Sequence, residues 1–211
     1  KRAMVNLGYE LEFSATVNTS LDFGYNAFRF EPPNANNQGA GGAGELGSDD
    51  LLFEMTTFIT PSEQFSALVG GTIYQQNGDI GAGSDYSNGW YSAYAQLDYR
   101  PIDQLKLILG GQYNSIEGLE SDFVPRVGAV YHLTEKLGAK ALWGQSFRAP
   151  YAIETSVNIP GVLIGNPDLE AEKLSNLDVQ LFYTTSNLEL YLTYFDYESA
   201  NLITQAQASR S

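Results

Sequence analysis

Val5-Asn6-Leu7-Gly8-Tyr9-Glu10-Leu11-Glu12-Phe13-Ser14-Ala15-Thr16-Val17 alternates without a break. Val5, Leu7, Tyr9, Leu11, Phe13, Ala15 and Val17 fall on one face, and the polar or small residues between them fall on the other. Successive side chains of an extended strand point to opposite sides, so a period of two sustained this long predicts a strand with one apolar and one polar face.

The same period returns down the chain. Leu51, Phe53, Met55, Thr57 and Ile59 alternate with Leu52, Glu54, Thr56 and Phe58, and Tyr91, Ala93, Ala95, Leu97 and Tyr99 alternate with Ser92, Tyr94, Gln96 and Asp98. Leu105, Leu107, Leu109, Gly111 and Tyr113 share a face opposite Lys106, Ile108, Gly110, Gln112 and Asn114. Comparable runs are centred on Val127–Leu133, Leu177–Tyr183 and Leu188–Tyr194, with weaker ones near 19–30, 65–76 and 138–147. That makes about ten strands, each about ten residues or longer, the length a tilted strand needs to cross a bilayer. Strands of soluble sandwiches usually run about five to six residues.

The connections alternate as well. Short turns are expected at Asn18–Ser20, Pro61–Gln64, Pro101–Gln104, Thr134–Lys136 and Thr185–Asn187, and longer polar segments at 31–50, 76–88, 116–122 and 148–173. Short turns at one end and long loops at the other are the arrangement of bacterial outer-membrane barrels. The fold expected is therefore all-β, an antiparallel up-and-down meander of about ten long strands belonging to a transmembrane barrel, and an open arc when taken alone.

Composition narrows function. The 211 residues carry 11 Lys+Arg against 25 Asp+Glu, a formal charge of -14, so no basic stripe exists to displace phosphate counterions and nucleic acid is excluded as a partner. Cysteine is absent, which excludes disulfide frameworks and thiolate metal sites. The 14 Tyr, 11 Phe and 21 Gly suit a β protein with tight turns and aromatic girdles. The mean hydropathy of -0.21 fits a barrel, because only alternate residues face lipid. Lys1–Asn6 lacks the apolar run of a signal peptide, and the chain reads as starting partway through a longer protein.

Gly144-Gln145-Ser146-Phe147-Arg148-Ala149-Pro150-Tyr151, followed by Gly165-Asn166-Pro167-Asp168-Leu169-Glu170-Ala171-Glu172, resembles the TonB-dependent receptor barrel. There a strand ending Phe-Arg-Ala-Pro precedes Asn-Pro-x-Leu-x-Pro-Glu; Ala171 departs from the pattern. Tyr94–Tyr99, Pro125–Tyr131, Tyr194–Tyr197 and Leu202-Ile203 match the flanking strands, so the clear resemblance runs from Trp90 to Ile203. Phe147, Arg148, Ala149, Pro150, Asn166, Pro167, Leu169 and Glu172 would then be structural. Pro150 and Pro167 lack N–H donors and mark where strands stop. Arg148 is expected to pair with Glu170 or Glu172 and fix the loop at the outer rim; as a lone exposed pair it would be worth under about 1 kcal/mol.

The resemblance implies a protein of the Gram-negative outer membrane, in contact with its lipid, that takes up a scarce nutrient with energy delivered by TonB to a plug inside the barrel. A ferric siderophore is the first expectation, then cobalamin, then an oligosaccharide. No cofactor, metal site or enzymatic role is implied. The plug, the energy-coupling box and a terminal aromatic strand have no counterpart in residues 1–211, and the family's barrel has about 22 strands. The whole chain is read as one partial barrel domain, an internal piece whose partners are its own plug and the remaining strands. Two other classes stay open: a small self-contained pore or adhesion barrel, with the Leu7–Val17 strand pairing with Leu188–Tyr194, and a soluble β-sandwich with the Leu105, Leu107 and Leu109 face buried between sheets.

Glu54, Tyr74, Trp90, Tyr94, Lys106, Gln112 and Arg126 lie on polar faces and are expected to line the lumen. Of the aromatics, Tyr74, Trp90 and Tyr151 are nearest the loops and are the substrate-contact candidates, rim aromatics at the membrane interface being the alternative. His132, beside a turn and with no Ser or Asp partner suggested by spacing, reads as a girdle or surface residue. Glu45, Asp49, Asp50, Asp79, Asp85, Glu117, Glu120 and Asp122 are expected in solvated outer loops, without the spacing of a calcium loop.

Overall fold

In the computed structural model residues 1–30, 46–79, 85–151, 154–155, 158–159 and 163–204 are described. They form β1 (Arg2–Ser14), β2 (Val17–Phe30), β3 (Leu46–Ser62), β4 (Phe65–Asp79), β5 (Asp85–Ile102), β6 (Leu105–Ile116), β7 (Asp122–His132), β8 (Leu137–Arg148), β9 (Asn158–Ile159), β10 (Leu163–Ile164), β11 (Glu172–Thr184) and β12 (Glu189–Ala200). Ten of these make one antiparallel sheet in chain order, β1 to β8 followed by β11 and β12, and β9–β10 is a separate small hairpin.

The register carries the alternation across the sheet. One row reads Leu7, Phe23, Phe53, Ile73 and Tyr91; the adjacent row reads Gly8, Asp22, Glu54, Thr72, Ser92, Asn114 and Asp122. Leu7, Ile73, Tyr91 and Leu109 are 65%, 53%, 59% and 58% exposed, whereas Asn114 on the other face is 1% exposed. Side chains of the polar face cover one another; those of the apolar face are covered by no other element among the described residues. Among the described residues the buried apolar side chains are few, Ile116, Val124 and, at the end of β8, Pro150. A sandwich needs a dry layer between sheets, and here Leu107 and Leu109 stand in the open. Hydrocarbon is the solvent that makes this face stable, since backbone polar groups are already paired within the sheet.

The sheet does not close. β1 pairs with β2 and β12 with β11, with no β1–β12 ladder, so the small closed barrel is not formed. The last turns are short: 15–16, 63–64, 103–104, 133–136 and 185–188 at one end, with all longer connections at the other.

Three expectations are corrected. The first turn falls at Ala15-Thr16, not Asn18–Ser20: Ser14 Oγ accepts the Thr16 N–H at 3.2 Å, the register shifts between Glu12 and Ser14, and Thr19 lies within the ladder 2.9 Å from the Thr57 hydroxyl. Ala15 and Val17 continue the alternation across that turn, which hid it. Next, Asp49, Asp50, Asp79, Asp85 and Asp122 are strand residues, because the ladders run on above the apolar band. Polar cross-strand bonds hold these extensions: Tyr25 donates to Asp49 (3.0 Å), Asn26 to Asp50 (3.0 Å) and Gln75 to Ser87 (3.0 Å). Glu45 lies outside the described residues. Finally, the two motif segments, expected to be joined by a short loop, are separated by an extra hairpin, β9–β10, within the 149–171 connection.

Candidate ligand-facing site at the loop end

The polar face is the inner wall. At mid-height it carries a hollow of about 450 Å³ lined by Glu54, Thr56, Tyr94, Gln112 and Arg126 among others. Tyr94 donates to Glu54 at 2.6 Å and lies 2.6 Å from the Thr56 hydroxyl, reaching across Gly70 on the intervening strand. A Cβ at Gly70 would stand 2.5 Å from the Tyr94 ring, so only glycine leaves that path open. Lower down, Lys106 pairs with Asp98 at 2.7 Å, and His132 packs edge-on against Phe182 at 5.4 Å, a structural contact at the turn end.

Higher on the wall the candidates come together. Tyr74 and Trp90 are register partners with rings 6.5 Å apart and edge-on, and Phe147 meets Trp90 at 5.7 Å. Pro125 has no N–H to offer, and the β7–β8 ladder ends beside it at Arg126 and Gly144; beyond that point the end of β8 brings Phe147 to Trp90. Three strands and one loop entry thus build a single aromatic run, with Tyr151 attached through Arg148, whose Cζ is 5.1 Å from the Tyr151 ring centre.

Arg148 is the hub. Its Nε donates to Glu172 at 2.7 Å, and its two terminal nitrogens donate to Glu154 at 2.9 and 3.2 Å. Glu154 also accepts the Tyr151 N–H at 2.7 Å, and Glu172 accepts the Ile203 N–H at 2.7 Å. One guanidinium therefore ties the start of the long connection, its helical turn at 154–155 and the strand after it, in the bidentate geometry that suits Arg. These groups stand beyond Trp143 and Leu177, the last outward apolar pair of β8 and β11. Hydrogen bonding to Arg148, then to the Ile203 N–H, holds the Glu172 carboxyl down at about 2, and Glu154 is lowered chiefly by Arg148.

Of the two expected partners of Arg148, Glu172 is one and Glu170 is not: Glu170 accepts from Asn201 at 2.9 Å. Glu154 went unnoticed, since nothing in its spacing from Arg148 signals a loop that doubles back. Asn166 accepts the Asp168 N–H at 3.0 Å and donates its own N–H to the Glu154 carbonyl at 2.9 Å, so Asn166, Pro167 and Leu169 form a turn braced on the hub. Ala149 is half-buried and Pro150 is buried at the strand's end.

The family model for the TonB-dependent receptor-like β-barrel matches residues 1–211. The chain belongs to that family. TonB-dependent receptor barrels lie in the Gram-negative outer membrane, which gives the uncovered apolar face its lipid. The iron-regulated outer membrane virulence protein of Vibrio cholerae is 30% identical over 132 residues, 60% of this chain and 20% of that protein. Among solved structures, the siderophore receptor PirA of Pseudomonas aeruginosa superposes with a TM-score of 0.78 at 14% identity, covering 94% of this chain and 39% of that one. PirA of Acinetobacter baumannii gives 0.75 at 15% identity, covering 94% and 34%. A ferric enterobactin receptor of Pseudomonas aeruginosa, solved with enterobactin, gives 0.78 at 16%, covering 95% and 35%. The chain spans a fifth of the curated relative and about a third of these receptors.

Proposed function

We propose that residues 1–211 are a wall sector of a receptor that imports a ferric siderophore, with TonB acting through a plug inside the completed barrel. Further strands of the parent protein would pair with the open edges of β1 and β12 and close the wall. Ligand would be caught where Tyr74, Trp90, Phe147 and Tyr151 line the loop end, and the Arg148 hub would hold the loop that carries Tyr151 in place. The observation that carries this reading is the convergence of Tyr74, Trp90 and Phe147 from separate strands into one aromatic run. Aromatic side chains also suit the partly apolar periphery of such a chelate.

The test is siderophore-dependent growth and ligand binding by the complete receptor. Trp90→Ala combined with Tyr74→Ala should weaken binding roughly tenfold. Tyr131→Ala, on the outward face, should leave binding unchanged. Equal binding by all three proteins would rule this site out.

A further inference from the structure

We propose that the end of β8 is a lid, closed in this structure, that hinges away from β7 where Pro125 stops their ladder. Its swing opens and closes the contact between Phe147 and Trp90. The movement belongs to strands rather than loops, and it goes beyond the uptake reading above without depending on it.

Amide direction locates the hinge. The His132 N–H donates to the Gln104 carbonyl at 2.8 Å, so even-numbered residues of β7 turn their amides toward β6 and odd-numbered ones toward β8. Pro125 therefore has no N–H to give across to β8. The next amide on that side, the Phe123 N–H, is taken by the Asp122 carboxylate at 3.0 Å. No register pair joins the two strands beyond Arg126 and Gly144. On its other side β8 stays paired with β11 up to Arg148 and Glu172, and β11 with β12 up to Lys173 and Ala200. The loop end of the sheet is thus two plates, β1–β7 and β8–β11–β12, joined by a ladder only below Pro125. The split also lies beyond Trp143 and Leu177, so lipid does not press it shut.

Side chains clasp the plates above that point. Lys173 of β11 reaches past β8 to Asp122 at 3.0 Å, and the Phe147 ring lies 5.7 Å from that of Trp90. Closure has a cost, written in unpaired atoms. Trp90 Nε1, Asn114 Nδ2 and Asp122 Oδ2 are buried without a hydrogen-bond partner. They stand together: Asn114 and Asp122 are register partners, and Trp90 pairs with Ile116 two residues along β6. Lifting the lid lets water reach these atoms, whereas closing it gains the ion pair and the ring contact. Opposing terms of this kind keep two states close in free energy.

The experiment measures spin-label distances in the complete receptor in lipid. One label pair, at Glu120→Cys and Ser146→Cys, spans the split; a reference pair, at Tyr131→Cys and Ala141→Cys, lies below it. The upper pair should show a short distance and a minor population longer by several ångström. Lys173→Gln combined with Phe147→Ala should make the longer population dominant. Pro125→Val, which restores an N–H to the ladder, should remove it. The reference pair should hold one distance throughout. A single upper distance in every protein, a longer population that ignores either variant, or a reference pair that moves in step would overturn the hinge. No iron chelate enters these measurements, so failure of the uptake reading shows separately, as absent siderophore-dependent growth of the unlabelled receptor.

Discussion

The two ends of the sheet are built on different principles. At the turn end, hairpins close within two to four residues on local bonds: the Thr134 N–H donates to the Leu137 carbonyl at 3.0 Å and the Thr185 N–H to the Leu188 carbonyl at 2.8 Å. At the loop end the ladders outrun the apolar band and are fastened by side chains, carboxylates above all. Local turns need only stop a strand, whereas the loop end must hold a surface in a defined shape for something to meet. Between the ends, the apolar face is indifferent to both and answers only to lipid.

The largest effect should come from charging that face. Leu109→Arg in the complete receptor should cost about 2–4 kcal/mol of folding into lipid vesicles, whereas Gln112→Arg on the inner face should cost under about 1 kcal/mol. Similar costs at the two sites would erase the distinction between the faces.

Loss of the hub ranks next. Arg148→Ala leaves Glu154 and Glu172 close together without their shared cation, and should speed proteolysis within 149–171 several-fold while the turn end stays resistant. Arg148→Lys, which keeps the charge but not the fork, should fall between. Uniform loosening of both ends would break the comparison.

Acid gives a milder version. The Glu172 carboxyl is held at about 2 against an ordinary 4.5, so the loop protection it contributes is fully present above about pH 4.5 and declines as pH falls toward 2. Protease susceptibility of 149–171 should rise over that window, and Glu172→Gln should remove most of the pH response. The smallest effect belongs to a turn: Thr185→Ala, which removes the acceptor for the Leu188 N–H at 3.0 Å, should cost under about 1 kcal/mol, measured as a slight fall in unfolding midpoint.

What could be read in advance follows the same division. Leu105–Tyr113 announced its strand because lipid rewards every second side chain, and the inward placement of Glu54, Trp90 and Arg126 followed from that period alone. The Ala15-Thr16 turn was hidden because small and apolar residues keep the rhythm through it. The strand extensions to Asp79 and Asp85 were hidden because a ladder in water imposes no hydrophobic period. Glu172 came from the motif, but Glu154 depends on how the connection folds back, and the contact of Phe147 with Trp90 depends on where the β7–β8 ladder ends beside Pro125. Neither leaves a trace in spacing.

The most direct test labels positions 107 to 113, one at a time, with a bilayer-quenchable fluorophore in the complete receptor reconstituted in lipid. Strong quenching by lipid-borne quencher at 107, 109, 111 and 113, with water-soluble quencher reaching 108, 110 and 112, is the expected outcome. Quenching that ignores the alternation, or that places 108, 110 and 112 in lipid, would contradict the assignment of the two faces and the membrane role built on it.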